Sequence, residues 1–464
     1  MHRYRSSSSY SLSVCAGKRT WRRIRRTAAL ISTALLALTL AACGSGQAPA
    51  DPSKDASAPQ PEQGEPVELV FYSFSKDSEQ TFNERFGNAL RKRFPDYSIK
   101  YIQRVPGSTD PEQLITSGQR IDIVWDSIPS FAGSIENGLA YDMTELIAKH
   151  DIDLSRFQPS LIEAVRKKSN GGLYALPLYD DRMALYYNKD IFDRFGVPYP
   201  QDGMTWDEII ELGGKLNHEV DGIIYTGFAG SINHLFLSNS YSLPLVDSQT
   251  VKATINREEW RNVIDTTILR PAKHPVYQKK IEQLGGKLPG QEQFVKEKTL
   301  AMFAASPTLS VVFSEELSSF SWDIVSFPSF KELPGVGAQS YPGLIYITKQ
   351  AQHKDAAMEA LKYLISDEYQ REASGKGTMT VLNDENIRQT LGQDGPFKDK
   401  RFAAFFAGPF PPIAEKTVWE GKVNVLAAYK ANIANAALGR MDVNTLLRTA
   451  EEEVNRQLAS LQNE

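Results

Sequence analysis

Two short stretches of this chain place an aromatic side chain directly beside a carboxylate, at Trp125-Asp126 and at Tyr179-Asp180-Asp181. A flat ring packs against weakly apolar C–H surfaces, and a carboxylate accepts strong hydrogen bonds from hydroxyl groups. Trp125-Asp126 follows an apolar segment that predicts a strand, and clefts of α/β sheets open at the carboxyl ends of strands. These residues are therefore predicted ligand contacts. In the alternative reading, Trp125 is a core residue and Asp126 caps a helix.

Five further positions are predicted to contact the same ligand. Phe74 and Ser75 follow the first predicted strand, where the loop faces the cleft of a doubly wound lobe. Phe228 lies in a polar, glycine-containing loop, Ser306 follows another predicted strand, and Tyr341 precedes one. For the acidic pair at 180–181 an alternative stays open, in which the carboxylates form a salt-bridged turn that sets the geometry of a hinge.

The amino-terminal segment has the pattern of an export signal. A run of basic residues precedes an apolar stretch, Ala28 to Ala42, and the small residues before Cys43 resemble the lipobox of bacterial lipoproteins. The apolar stretch is too short to span a bilayer comfortably. We therefore predict a lipoprotein signal peptide over 1–42, lipid attachment at Cys43, and a flexible linker over 43–65.

Charge and cysteine content narrow the function further. Residues 1–42 contain eight basic and no acidic residues, so the remainder has 44 basic against 56 acidic residues, a net charge of −12. Such a balance argues against nucleic-acid binding, which needs a positive field. Cys15 and Cys43 are the two cysteines, and Cys15 would be removed with the signal. The mature chain then has no disulfide and no thiolate metal site.

Catalytic motifs are missing from the sequence as well. It contains no nucleophile elbow, no HExxH, no P-loop and no dinucleotide fingerprint. We therefore predict no catalytic residue, no metal site and no cofactor. A glycoside hydrolase that uses Asp180 or Asp181 with a second carboxylate is the competing enzyme hypothesis, because two carboxylates at a suitable separation suffice for that chemistry.

The elements that would position these residues alternate between strand and helix along the chain. Such alternation predicts α/β architecture with sheets flanked by helices. Thr205 and Glu208 form a capping box in front of an amphipathic helix, Ile209 to Leu216. Asp190 is predicted to cap a shorter helix, Ile191 to Phe195. The simplest organisation is two α/β lobes with a helical carboxyl-terminal region.

Several segments, taken in chain order, resemble the extracellular solute-binding proteins (family 1) of carbohydrate ABC transporters. They are Ile121–Val124 before Gly138–Met143, Gly172–Pro177, Ala184–Phe192, Lys298–Met302 before Trp322–Pro328, and Ala356–Leu361 with Ser366–Gln370. Each segment alone is degenerate, but their common order and the lipobox make the resemblance specific. Ser306 stands where family members often have an aromatic residue, so a second stacking surface there is in doubt.

The resemblance implies a two-lobed, periplasmic-binding-protein-like clamp of type II. Each lobe is expected to hold a mixed, mostly parallel sheet flanked by helices, and ligand binding is expected to close the hinge. Lobe 1 would comprise 66–180 and 340–384, and lobe 2 would comprise 181–339 and 385–464. The chain is expected to cross between the lobes near Asp180, near 330–340 and near Asn383.

The same resemblance implies a function. The protein is expected to be a monomeric lipoprotein on the extracellular face of the cell membrane. It would capture a sugar or an oligosaccharide and deliver it to the permease subunits of an ABC importer. A surface sensor with the same fold is the alternative within the binding-protein class.

Overall fold

A computed structural model describes residues 66–463 of the chain, apart from 76, 170 and 416. The predicted signal peptide over 1–42, the linker over 43–65 and the lipidation site Cys43 lie outside the described residues. Among the described residues, no helix is both long and apolar enough to cross a bilayer.

The first sheet is built on four mostly apolar and buried strands and one partly exposed edge strand, β2. Its strands are β1 (Glu68–Ser73), β2 (Ser98–Ile102), β3 (Ile123–Ser127), β4 (Leu176–Tyr179) and β12 (Gly343–Ile347), in the order β2-β1-β3-β12-β4. β12 runs antiparallel to both of its neighbours, so the other four strands share one direction. The strand latest in sequence therefore lies between two early ones.

The second sheet follows the same mixed pattern. Its strands are β5 (Ala184–Asn188), β6 (His218–Val220), β7 (Ile223–Gly230), β10 (Leu300–Ala305) and β11 (Trp322–Val325), in the order β11-β5-β10-β7-β6. β7 and β10 are parallel, whereas β5 is antiparallel to β10 and β11. A separate short hairpin joins β8 (Val246–Asp247) and β9 (Lys252–Ala253).

The helices surround both sheets. They are α1 (Glu79–Phe82), α2 (Asn88–Arg93), α3 (Pro111–Thr116), α4 (Ile128–Glu136), α5 (Thr144–Lys149), α6 (Pro159–Lys168), α7 (Lys189–Phe195), α8 (Trp206–Gly214), α9 (Ile232–Leu237), α10 (Glu258–Ile264), α11 (Pro275–Gln283), α12 (Gln291–Val295), α13 (Thr308–Val312), α14 (Ser314–Leu317), α15 (Lys354–Leu364), α16 (Asp367–Gly375), α17 (Glu385–Arg388), α18 (Trp419–Lys422), α19 (Val425–Lys430), α20 (Ile433–Ala437) and α21 (Val443–Gln462). Two π-helical segments, Asn83–Gly87 and Asp265–Leu269, and three 3₁₀ segments, Leu154–Arg156, Pro271–Lys273 and Phe402–Phe406, complete the set.

The capping predictions have mixed outcomes. The capping box of Thr205 and Glu208 is present at the start of α8, as predicted. The prediction for Asp190 is wrong, because α7 begins two residues earlier than the sequence pattern indicated. Asn188 caps this helix by accepting the Ile191 N–H, while the Asp190 carboxylate accepts the N–H of Ser321.

Three hydrophobic cores lie around the two sheets. One core joins the strands of the first sheet to α15 and to the helical segment around Phe82 and Phe86, and we call this part the first lobe. One face of the second sheet packs against α8, α10, α11 and α21, and a third core around Phe294 and Trp322 covers its other face; we call this part the second lobe. α8 lies very close to β7, because the Gly227 α-carbon stands against the Gly213 carbonyl. The mixed sheets and their flanking helices confirm the predicted two-lobed α/β fold, whereas the exact lobe boundaries stay a prediction.

Candidate functional site

Segments that connect the two sheets come together at Asp180. Its buried carboxylate accepts the Ser340 hydroxyl at 2.6 Å through Oδ2 and the Asp181 N–H at 2.8 Å through Oδ1. Its own backbone N–H donates to the carbonyl of Met379 at 3.0 Å. Burial raises the pKa of Asp180 above its ordinary value, although the hydrogen bond from Ser340 opposes this. One side chain and its backbone thus tie three chain segments to one another.

Arg182 strengthens the same junction from the side of the second lobe. It is fully buried and donates to the carbonyls of Ala338 at 2.8 Å and Pro409 at 2.9 Å. Its guanidinium carbon lies 4.2 Å from the centre of the Phe410 ring. Burial lowers the pKa of Arg182 to about 10. Arg182 and Asp180 thus join chain segments at this junction through hydrogen bonds, with Arg182 donating to backbone carbonyls, and the hinge stays a prediction.

A second group of polar side chains surrounds Asp181, and we call Asp181, His234, Ser306, Thr308 and Tyr341 the Asp181 cluster. The Thr308 hydroxyl donates to Asp181 Oδ1 at 3.0 Å, and the His234 ring meets Tyr341 edge-on at 6.2 Å. Burial raises the pKa of Asp181, whereas His234 and hydrogen bonds with Ser306 and Thr308 act in the opposite direction. The cluster therefore brings together three of the predicted ligand residues.

Arg85 approaches this cluster from the first lobe. It lies in the π-helical segment between α1 and α2, and its guanidinium carbon is 4.2 Å from the centre of the Tyr179 ring. Its positive charge also lowers the pKa of Asp181. Sequence analysis missed Arg85, because an arginine in a helical pattern is usually a solvated surface residue. π-Helical segments occur frequently at functional sites.

A pocket of about 520 Å³ begins beside Tyr341 and has walls from both lobes. Ser127, at the end of β3, and Tyr341, just before β12, line it from the first sheet, while Leu237 and Leu245 line it from the second lobe. Burial raises the pKa of Tyr341 to about 12, although a hydrogen bond with Ser127 opposes the shift. The Tyr341 hydroxyl is therefore neutral at physiological pH and can both donate and accept.

The remaining wall of the pocket comes from the segment 420–426, which runs from the end of α18 into the start of α19. Lys422 lies with its Nζ 4.9 Å from the ring centre of Trp419 and 4.0 Å from a carboxylate oxygen of Glu136 in the first lobe. Sequence analysis assigned no role to Trp419, to Ser127 or to this segment. A proline-rich stretch at 409–412 precedes this segment in the sequence.

The profile of the family described as bacterial extracellular solute-binding protein matches residues 75–371, well over half of the chain. This chain belongs to that family. The pocket between the two lobes therefore belongs to a solute-binding protein.

Individual relatives of this solute-binding protein are distant. A mannitol-binding protein of Pseudomonas aeruginosa is 24% identical over 192 residues, which cover 39% of this chain and 43% of the length of that relative. The match therefore spans less than half of that curated protein.

Solved structures share the fold across most of both chains. An ABC substrate-binding protein of Listeria monocytogenes in complex with cycloalternan is 19% identical, with a TM-score of 0.66 over 85% of this chain and 99% of the other. A sugar transporter of Rhizobium etli in an open conformation is 19% identical, with a TM-score of 0.65 over 84% and 99%. A cyclic alpha-maltosyl-1,6-maltose binding protein of Arthrobacter globiformis is 15% identical, with a TM-score of 0.64 over 85% and 100%.

Two predicted stacking residues of this solute-binding protein lie in the cores instead of the pocket. Trp125 is 1% exposed, and its ring centre lies 5.1–5.4 Å from those of Tyr101, Phe82 and Phe86. This placement agrees with the core alternative for Trp125. The predicted loop position of Phe228 is wrong, because it lies within β7, where it is equally buried and meets the Trp206 ring at 5.2 Å. Neither ring has an exposed face in the cleft.

The other predicted contacts remain near strand ends. Asp126 is buried at the end of β3, where its Oδ1 accepts the N–H of the pocket residue Ser127 at 2.6 Å. Phe74 is half-buried against Tyr72, and the exposed Ser75 has its Oγ 2.7 Å from that of Ser73. Their contact with a ligand stays a prediction.

Proposed function

We propose that this protein captures a sugar or an oligosaccharide in the pocket between its lobes and delivers it, chemically unchanged, to the permease of an ABC importer. The observation that carries the proposal is the pocket of about 520 Å³, whose walls come from both lobes. The names of several structural neighbours, which bind cycloalternan and maltose derivatives, support a carbohydrate ligand.

The chemistry of the pocket suits such a ligand. Ser127, Tyr341 and Asn424 supply neutral hydroxyl and amide groups, and Glu420 supplies a carboxylate, all of which pair with sugar hydroxyls. Leu237, like the other apolar lining residues, offers surface for C–H faces. We assign Trp419, which immediately precedes the lining segment and is half-buried, as the stacking ring.

Hinge closure follows from the position of the pocket. A ligand that contacts both lobes binds better to the closed form, and it shifts the equilibrium toward that form by its difference in affinity. The Asp180 junction lies where the two sheets connect, so closure can proceed while the three segments stay joined. The closed shape then gives the permease a signal that the ligand is present.

Binding can be tested with the purified protein against mannitol, maltose, mannobiose and a peptide control. We expect a carbohydrate to raise the melting temperature, because a ligand held only by the folded state stabilises it by mass action. Tyr341→Ala should weaken calorimetric affinity by about tenfold, which is the loss of about 1.4 kcal/mol expected for a hydrogen bond with a polar ligand. Lys430→Gln is the matched control, because Lys430 bonds to Asn233 outside the lining of the pocket. Stabilisation by the peptide alone would contradict the carbohydrate assignment.

The competing enzyme is tested in the same samples. Asp180 has both carboxylate oxygens in hydrogen bonds with Ser340 and Asp181, which suits a hinge better than a catalytic pair. We expect chromatography to recover every bound glycoside intact. Release of shorter sugars that disappears in Asp181→Asn would favour the hydrolase.

We also propose that Cys43 anchors the protein to the extracellular face of the cell membrane. The lipobox-like sequence before Cys43 and the extracellular family support this proposal. Cys43→Ala should move the protein from the membrane fraction to the soluble fraction. An unchanged distribution would contradict lipid attachment. A sensor role would be favoured if the ligand binds but its uptake does not depend on the protein.

A further inference from the structure

The second lobe contains a separate cavity of about 340 Å³ on the side of α8 and α11. Its lining comes from α8, the 3₁₀ segment Pro271–Lys273, the start of α11 and one residue of β7. It shares no lining residue with the pocket between the lobes. Its size falls within the range of small-molecule sites, which begins at about 300 Å³.

The floor of this α8–α11 pocket is apolar. The buried side chains of Phe228 and Tyr277 form it, and Pro271 and Pro275 add further apolar surface. A methyl group built at Gly214 would meet no atom within 4 Å, so the chain leaves this wall without a side chain. The cavity can therefore hold a flat apolar body of modest size.

The polar groups around the cavity are donors or cations. Asn217 uses its Oδ1 to accept the Gly227 N–H, which leaves its Nδ2 to donate. His274 accepts the Val276 N–H through Nδ1, so the neutral ring carries its proton on Nε2. Lys273, whose side chain is 72% exposed, adds a positive charge at the rim.

The carboxylates that pair with the cations of the cavity lie outside its lining. Arg270 pairs with Asp207 through Nη1, and the same aspartate also pairs with Lys331. Asp265 lies 3.9 Å from Lys273. Each lining cation thus has a carboxylate partner, and Asp207 is shared with a second cation. Neither carboxylate lines the cavity, so the charged side chains of the lining, Arg270 and Lys273, are both cations.

We propose that the α8–α11 pocket is a second binding site, which takes a small organic carboxylate with a flat apolar body. The apolar body rests on Phe228 and Tyr277, and the carboxylate faces Lys273, Arg270 and the Asn217 amide. Occupancy would stabilise the second lobe, because the pocket joins α8 to α11. The site is independent of the carbohydrate assignment for the cleft.

Three probes separate the two parts of this ligand. Benzoate carries both the body and the charge, benzyl alcohol carries the body alone, and acetate carries the charge alone. By calorimetry and thermal shift at constant ionic strength, we expect benzoate to bind the full-length protein more tightly than either of the others. Equal binding of benzyl alcohol would overturn the anion assignment, and equal binding of acetate would overturn the apolar one.

Two variants test whether benzoate binds in the α8–α11 pocket. Gly214→Leu should abolish benzoate binding by filling the cavity, and Lys273→Gln should weaken it about threefold, as for an exposed ion pair. Lys279→Gln is the control, because Lys279 lies on α11 but pairs with Glu219 outside the cavity. Lys273→Gln alters an exposed side chain, so it keeps the test decisive if Gly214→Leu does not fold. Benzoate binding that survives both changes, or no binding to the wild type, would overturn the proposal.

Discussion

Removal of the Ser340 hydroxyl tests the hinge junction most directly. In the wild type this hydroxyl donates to Asp180 Oδ2 at 2.6 Å, inside a site where both residues are almost fully buried. Ser340→Ala deletes the donor, and the buried carboxylate oxygen then loses a partner that water cannot easily replace. A hydrogen bond to a charged group is worth about 1.5–3 kcal/mol, so we expect the variant to lose that much unfolding free energy at a pH where Asp180 is ionised.

The loss of stability in Ser340→Ala should depend on pH, and the pKa shift of Asp180 gives its direction. Burial raises the folded-state pKa of Asp180 above its ordinary value of 3.8, and the Ser340 hydroxyl opposes the rise. Ionised Asp180 therefore destabilises the fold, and this effect grows as pH rises from 3.8 through the raised folded value. Without the Ser340 hydroxyl the folded-state pKa of Asp180 rises further. The loss of unfolding free energy in Ser340→Ala is therefore complete above this folded-state pKa. It shrinks below 3.8, where the carboxyl group is protonated in both proteins.

Ser169→Ala is the matched control. Ser169 is also buried, but its hydroxyl donates to the neutral carbonyl of Val165 at 2.9 Å. We expect it to lose about 0.5–1.5 kcal/mol at every pH. Urea unfolding followed by tryptophan fluorescence, at neutral pH and near the lower limit of stability, measures both variants. A Ser340→Ala deficit that is no larger than that of the control, or that does not change with pH, would refute the reasoning.

Three further predictions follow from packing and charge. Gly227→Ala would bring its new methyl group to 1.9 Å from the Gly213 carbonyl oxygen, so thermal unfolding should show a loss of about 3 kcal/mol or more, and an unchanged melting temperature would contradict this contact. Trp125→Ala should lose about 3–5 kcal/mol of unfolding free energy in urea, because its side chain is buried in the core. Trp419→Ala should lose less stability but should weaken carbohydrate binding in calorimetry. The reverse pattern would mean that Trp419 is the core residue and Trp125 the ligand contact. The difference in absorbance between the wild type and Tyr341→Phe should show no ionisation of Tyr341 until the pH nears 12, and an earlier transition would mean that its ring is solvated.

The sequence predicted the local elements better than their arrangement. Alternating apolar strands and helices were enough to expect α/β lobes, and the family resemblance added the clamp. No local pattern indicates that β12 lies between β3 and β4, because that pairing joins Ile345 to Trp125 and Leu176, far apart in sequence. Pairings of this length depend on the whole core, not on the propensity of any one segment.

The sequence did not decide the position of Trp125, because a tryptophan beside an aspartate fits both a protein core and a ligand cleft. β3 is buried on both faces, so Ile123, Val124, Trp125 and Asp126 give no alternation that would tell which side chain faces the cleft. The ring of Trp125 instead packs against aromatic residues from a helix and from β2. Tyr179, Asp181 and Tyr341 stand at or beside strand ends, as the sequence indicated, and their contact with a ligand stays a prediction.

The position of β12 has a consequence for how the protein is made. Until Gly343–Ile347 has been synthesised, β3 and β4 lack the strand that both of them pair with. Every strand of the second sheet precedes β12 in the chain and therefore emerges from the ribosome before it. The second lobe can thus acquire its sheet while the first remains open, and a chain that stops before residue 343 would expose two unpaired strand edges to aggregation.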